Sequence, residues 1–298
     1  MTYHVPVLLK ECIEGLDIDP KGVYVDVTFG GGGHSREIIK HITTGKLIAF
    51  DQDRDAAKNI IDDERFVFVP HNFRFLRNFV KYHGFKKVDG ILADLGVSSH
   101  HFDTPDRGFS TRFDSPLDMR MNQLAGNTAA DVLNMYSEKQ LSDLLFVYGE
   151  IKSSRKIASK IVSVRGEKPF TTTGDFIDVV KPFGPKNREN KFLAQAFQAL
   201  RIEVNGEMDV LKEFLEQVPK VLKPDGKLVV ITYHSLEDRL VKNFIKTGNF
   251  KGEKEVDMYG NIISPLEQVN RKLILPSEEE LVINTRSRSA KLRIAKMR

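Results

Sequence analysis

VYVDVTFGGGGHS, residues Val23 to Ser35, decides the fold. Val23 to Thr28 is a β-branched run that reads as a strand, and four glycines, Gly30 to Gly33, follow it directly. His34 to His41 is then compatible with a helix. Strand, glycine loop and helix make the opening of a βαβ unit, where glycine lets the backbone turn sharply and approach a ligand closely. Working outward, Lys46 to Phe50 is a second short apolar run closed by Asp51, Phe66 to Val69 a third, and Val88 to Ala93 a fourth closed by Asp94. Helix-compatible stretches lie between them, at Asp53 to Ile61 and Phe73 to His83. Such alternation predicts a parallel sheet with right-handed crossovers.

The alternation stops after Asp94. Residues 104–205 contain no convincing strand and read as a helical insertion. Lys191 to Glu203 presents a wide apolar face at helical spacing, Ser154 to Val164 does the same, and Gly126-Asn127 and Lys181 to Asn190 read as turns. Residues 1–103 and 206–298 then form the α/β domain. In its second part, Leu211, Phe214, Leu215, Val218, Val221 and Leu222 mark an amphipathic helix. Pro224-Asp225-Gly226 turns into a fifth strand, Lys227 to Thr232, and Ser235 opens a further helix as its expected cap. Thr247 to Arg286 is polar and turn-rich, expected to be a long loop with little structure, and Ser289 to Met297 a last strand.

Across 298 residues, 41% are hydrophobic and 29% charged, a globular composition that excludes collagen-like, mucin-like and wholly disordered chains. No apolar run approaches the roughly 18 residues of a membrane span, and no signal peptide is visible at Met1 to Leu9. The single cysteine, Cys12, excludes an intramolecular disulfide framework and a Cys-rich zinc site, and it reads as packing rather than reacting. A cytoplasmic setting, with no membrane association, is the expectation. The net charge of +4 is concentrated at the end: Asn284 to Arg298 holds six basic residues and no acid. Such a tail suits phosphate contacts, or else is a solvated edge strand kept from aggregating by its charge.

Two features point to a nucleoside. Asp26-x-Thr28-x-Gly30-x-Gly32 has the acidic-x-small-x-Gly-x-Gly spacing of a nucleoside-binding loop, and Asp51, eighteen residues after Gly33, is placed to accept hydrogen bonds from ribose hydroxyls. The dinucleotide pattern fails at its last glycine, which is Ser35, and the Gly-Lys-Ser/Thr of a P-loop is absent. With nothing basic at the loop to meet a pyrophosphate, a phosphate-free ligand such as S-adenosylmethionine fits better. Asp94-Leu95-Gly96-Val97-Ser98-Ser99 lies at the carboxyl edge of the fourth strand, where Asp94 and the hydroxyls hold a ligand or cap a helix. Tyr233 and His234 follow the fifth strand, placed to stack on a base or hydrogen-bond it.

The chain resembles the bacterial 16S ribosomal RNA cytosine-N4 methyltransferases of the MraW type. The resemblance is carried by His4-x-Pro6-Val7-Leu8-Leu9-Lys10-Glu11, by the loop from Asp26 to Ser35, and by Asp94 to Ser99. It continues in Arg107-Gly108-Phe109-Ser110, Pro116 to Met121, Tyr148-Gly149-Glu150, Phe197 to Ile202, Val204-Asn205, His234 to Arg239 and Arg288 to Arg293. It implies a Rossmann-like class I methyltransferase sheet with an inserted all-helical domain for RNA, S-adenosylmethionine as cofactor, no metal, and 16S rRNA of the small ribosomal subunit as partner, with no obligate protein partner.

The cofactor positions carried over are Gly32, Gly33, His34, Asp51, Phe73, Asp94 and His101, with Phe73 offered to the adenine face. Arg107, Arg120, Arg201, Tyr233, His234, Arg286 and Arg288 are the candidates for substrate contact. The chain departs from the family at Lys191 to Ala196, where an arginine is lost, and at Tyr233, where the family has Phe. The catalytic proton acceptor is left open among Asp94, Ser98 and His234. Two other readings, a nicotinamide-dependent dehydrogenase and a non-catalytic RNA-binding module, meet opposite objections. Ser35 argues against the first, and the second leaves the pocket of Asp26, the glycines and Asp51 unexplained.

Overall fold

A seven-stranded sheet is built from β1 (Val23–Asp26), β2 (Lys46–Phe50), β3 (Phe66–Val69), β4 (Val88–Asp94), β5 (Leu222–Thr232), β6 (Leu266–Gln268) and β7 (Lys291–Met297). The computed structural model describes residues 6–270 and 272–298, so His4 of the first resembling segment lies outside the described residues. The strand order is β3-β2-β1-β4-β5-β7-β6. β1 to β5 pair in parallel, whereas β7 runs antiparallel to both β5 and β6. The order reverses between β1 and β4, and open sheets of this kind bind ligands at such a point, outside the carboxyl ends of the strands.

Strand residues alternate between two buried faces, as a sheet covered on both sides requires. Val25, Ile48, Ile91 and Val230 face a core completed by Phe214, Leu215 and Val218 of α10 (Glu207–Val221). Tyr24, Leu47, Leu92 and Val229 face the opposite core, with Cys12 and Leu16 of α1 (Leu9–Leu16) and Ile38 and Ile39 of α2 (Gly33–His41). The first part of the α/β unit also holds α3 (Leu76–Tyr82). The segment from Asp53 to Ile61 is not the expected α-helix but a 3-10 turn, Arg54–Asn59, that buries only Ala56. Without an apolar stripe to bury, a short helix has little to hold it.

Val97–Glu207 forms a second compact unit, and Met1–Gly96 with Met208–Arg298 the first. The second unit contains α4 (Ser99–Asp103), α5 (Ala129–Met135), α6 (Glu138–Val147), α7 (Ser154–Arg165), α8 (Thr173–Val180) and α9 (Glu189–Asn205). Its own core includes Leu133, Leu141, Leu145, Ile157, Phe176 and Phe197. Thr128, Ser137 and Thr172 open α5, α6 and α8 with reciprocal capping boxes. Among the described residues this unit adds no strand to the sheet, only the isolated bridge Pro116↔Thr172. The helical side begins ahead of residue 104, because α4 belongs to it.

In the first unit, α11 (Ser235–Thr247) follows β5, and α12 (Glu278–Ile283) lies between β6 and β7. The long loop expected from Thr247 to Arg286 therefore holds the outermost strand and a short helix. β6 is three residues long and buries only Leu266; pairing with β7 creates it, and so short a run carries no periodic signal. Among the described residues no helix is long and apolar enough to cross a membrane.

Candidate functional site

The glycine loop is pinned on both sides. Gly30 N–H donates to Asp51 Oδ2 at 2.8 Å, and Asn59 Nδ2 donates to the Gly30 carbonyl at 3.0 Å. Arg36 in turn donates to the Asn59 carbonyl at 2.8 Å. Gly32 has φ +77°, a left-handed conformation that favours glycine, and a Cβ on Gly33 would lie 2.2 Å from Pro6 Cγ. The N-terminus of α2 has no side-chain cap, while a Cβ on Gly31 would meet nothing within 4 Å. The loop thus offers uncapped helix N–H groups beside open space, which suits a carboxylate.

Asp26, expected to help line this pocket, instead faces inward with 1% exposure. It accepts hydrogen bonds from Ser35 Oγ at 2.6 Å and Thr28 N–H at 3.0 Å, and so fixes the loop rather than meeting a ligand. Burial pushes its carboxyl above the usual range, against the bonds from Ser35 and Thr28. Thr28 Oγ1 also accepts from Asp94 N–H at 2.7 Å, tying the ends of β1 and β4 together.

Asp51 follows β2. Its Oδ1 accepts from Asp53 N–H at 2.8 Å, so each oxygen takes one backbone donor and keeps acceptor capacity. Burial raises its carboxyl to about 6, against those two backbone bonds. Phe73 opens a 3-10 turn after β3, where Asn72 caps and also donates to Gln52 Oε1 at 2.8 Å. The Phe73 ring is half-buried and meets Phe214 edge-on, with centroids 5.4 Å apart.

At the carboxyl end of β4, Asp94 Oδ1 accepts from the Tyr233 hydroxyl at 2.7 Å. Its Oδ2 lies 3.9 Å from His34 Nδ1. His34 Nε2 is 3.0 Å from the Val7 carbonyl, an oxygen that can only accept, so Nε2 carries a hydrogen. Burial pushes the Asp94 carboxyl above the usual range, opposed by His34 and Tyr233. Burial, then the charge of Asp94, pushes the Tyr233 phenol well above its ordinary value. Cys12 is fully buried, and burial followed by the Asp94 charge raises its thiol too.

His234, not Ser235, is the N-cap of α11. Its Nδ1 accepts from Glu237 N–H at 3.4 Å, and its Nε2 lies 3.1 Å from Glu237 Oε1. The structure therefore gives His234 a capping role in place of the expected base contact, and turns Tyr233 toward Asp94.

In the helical unit, His101 is buried on α4, with Nδ1 2.9 Å from Ser98 Oγ and its ring 4.8 Å from that of Phe109. Arg107 is 3% exposed and donates to the Arg120 and Met121 carbonyls, each at 3.1 Å. Arg120 is bidentate with Asp118, and Arg201 with Glu207. All three arginines thus stabilise the unit itself.

The basic tail divides as well. β7 lies between β5 and β6, so the tail does not form an edge strand. Arg293 is bidentate with Asp238, Lys291 is 3.9 Å from the same carboxylate, and Lys296 is 3.5 Å from Asp225. Arg286 and Arg288 stand exposed on the 3-10 turn Thr285–Ser289. Sequence reasoning missed Asn59, which reaches Gly30 from a turn 29 residues away and leaves no local pattern. It also missed the Tyr233–Asp94 bond, for which the tyrosine in place of Phe was the available signal.

The donor set fits S-adenosylmethionine: helix N–H groups and open space for an amino-acid carboxylate, Asp51 for ribose hydroxyls, and Phe73 next in sequence to the Asn72 that bonds Gln52. Among the described residues the cations of the loop and α2 are engaged elsewhere than at a pyrophosphate: Arg36 holds the Asn59 carbonyl and Lys40 pairs with Glu37. Strand order, antiparallel β7 and loop define a Rossmann-like, class I S-adenosylmethionine-dependent methyltransferase fold. The sequence matches the MraW methylase family over residues 1–298, and the chain belongs to that family. It is 62% identical over 295 residues to ribosomal RNA small subunit methyltransferase H of Parabacteroides distasonis, covering 98% of this chain and 97% of that one. The enzyme of the same name from Phocaeicola vulgatus is 59% identical over 297 residues, covering 99% and 98%. That from Flavobacterium johnsoniae is 57% identical over 296 residues, covering 99% and 98%.

Proposed function

We propose that this chain methylates the exocyclic N4 amine of a cytidine, cytidine 1402, at the decoding centre of 16S ribosomal RNA in the small subunit. The observation that carries the reading is a phosphate-free nucleoside loop in a chain belonging throughout to a methylase family whose relatives are named for small-subunit rRNA. S-adenosylmethionine supplies an electrophilic methyl group on a sulfonium. Gly32, Gly33 and His34 present the α2 N-terminus to its carboxylate, Asp51 accepts from its ribose, and Phe73 covers its adenine.

The cytosine amine shares its lone pair with the ring, so it must be oriented and relieved of a proton as the new bond forms. Of the three open candidates, Ser98 and His234 are engaged in capping. Asp94 has one oxygen fixed by Tyr233, and among the described residues the other has only His34 nearby, at 3.9 Å. We assign Asp94 the task of accepting from the amine. Cys12 has no part, since a buried thiol of raised pKa is a poor nucleophile. Exposed Arg286 and Arg288 are offered to RNA phosphates.

The test is to incubate unmodified small subunits with the purified chain and isotope-labelled S-adenosylmethionine, then analyse the digested nucleosides by mass spectrometry. Labelled N4-methylcytidine from the decoding-centre fragment is expected. Label on another base, or on carbon 5, would overturn the assignment.

A further inference from the structure

We propose that the exposed face of α7 holds the phosphate backbone of the RNA substrate, an inference that rests on the proposed rRNA substrate. α7 buries Ile157, Ala158 and Ile161 in the helical core. Its other face, with the residues just ahead of it, presents Lys152, Arg155, Lys156 and Lys160, all exposed. No Asp or Glu occurs between Ile151 and Gly166.

Two observations set this face apart from an ordinary solvated helix. Among the described residues none of the four cations has an acidic partner, whereas Lys139, Lys168 and Lys181 of the same unit pair with Asp143, Asp175 and Glu189. The placement also works against the helix. Arg155 and Lys156 occupy the first turn, where the dipole favours acids, and α5, α6 and α8 carry Asp131, Glu138 and Asp175 there. Lys156 and Lys160 are like charges at i,i+4, a destabilising spacing.

Helix stability therefore does not account for these cations, and a polyanion does. Ser159 and Ser163 are exposed beside them and add hydroxyl donors for phosphate oxygens. From Arg155 to Ser163 the face runs about 12 Å, room for a few successive phosphates. Contacts of this kind position a strand without reading its sequence.

The experiment compares the full chain, saturated with S-adenosylmethionine, with the triple variant Arg155→Ala, Lys156→Ala, Lys160→Ala. Affinity for 16S rRNA is measured at several salt concentrations, alongside circular dichroism and cofactor calorimetry. Each single-strand phosphate neutralised by a cation contributes about 0.7 to the log–log salt slope. Removing the three charges should flatten the slope by about 2 and weaken binding at 0.1 M salt by about 100-fold. The cofactor dissociation constant and the helical signal should stay unchanged, and Lys139→Ala should leave RNA binding as it was. If the wild-type chain binds with a steep slope and the triple variant matches it, α7 is not the RNA surface. If the wild-type chain binds no RNA, the substrate reading itself fails and this proposal falls with it.

Discussion

Replacing Tyr233 with Phe removes one oxygen, the donor that holds Asp94 Oδ1 at 2.7 Å. The phenol hydrogen favours the carboxylate only when Asp94 is ionised, so its loss favours the protonated form. A hydrogen bond to a charged group contributes about 1.5–3 kcal/mol, and the lower end applies here because the Asp94 side chain is 23% exposed. That is about a tenfold fall in the ratio of ionised to protonated Asp94 at any given pH. The other groups around the carboxylate, His34, Asp26, Glu237 and Cys12, are left in place.

If ionised Asp94 accepts from the amine, the acid limb of kcat/KM for methyl transfer moves to higher pH, while the alkaline plateau changes little. The companion measurement is an NMR titration of the Asp94 carboxyl carbon in both proteins without RNA, which reports the same shift independently of turnover. A pH profile and a carboxyl titration that both stay put would refute the link between Tyr233 and Asp94. A titration that moves with a profile that does not would remove Asp94 from proton acceptance.

Asp51→Ala should weaken S-adenosylmethionine binding by about 1–3 kcal/mol with circular dichroism unchanged, the cost of leaving ribose hydroxyls unpaired. Because burial raises Asp51 to about 6, the folded chain between about pH 4 and pH 6 holds a proton that the unfolded chain has released. The Asp51 contribution to stability therefore falls as pH rises through that window, and cofactor affinity rises, since ribose hydroxyls donate to the ionised form; calorimetry across it checks the sign. Gly33→Ala brings a Cβ to 2.2 Å from Pro6 Cγ and should cost about 1–3 kcal/mol of stability together with cofactor affinity, read by thermal melts and titration. Arg293→Ala leaves Asp238, 15% exposed, with Lys291 at 3.9 Å as its remaining cation among the described residues, and should destabilise by about 3 kcal/mol. Neutralising Arg286 and Arg288 instead should weaken rRNA binding and flatten its salt dependence.

The α/β half of the fold was legible because its signals are local. Val23, Val25 and Val27 announce a strand, four glycines announce a turn, and Asp51 and Asp94 each close an apolar run at the sheet's carboxyl edge. Adjacent parallel strands then bring these ends together wherever the helices between them fit. β6 had no such signal. Leu266 is its one buried residue, and only β7, from the far end of the chain, makes those three residues a strand. The cap of α11 failed for a related reason: serine is the commoner cap, but Glu237 is placed to bond His234, and pairing geometry overrode the preference.

Charge was the least legible quantity, because a count of cations says nothing about their partners. The tail concentrates the positive residues of the chain, yet Arg293, Lys291 and Lys296 are engaged with Asp238 and Asp225, acids that lie many residues earlier. Arg107, Arg120 and Arg201 sit in motifs shared with an RNA-modifying family, yet backbone carbonyls, Asp118 and Glu207 hold them. A cation fixed by a buried or bidentate partner can meet a phosphate only by giving that partner up, which costs about as much as the new contact returns. The cations able to act on RNA at little cost are those for which folding supplied no acid. By that criterion the weight shifts from the tail, which looked basic in the sequence, to α7, whose three exposed cations, with Lys152 just ahead of them, are spread along an amphipathic helix rather than gathered in a run.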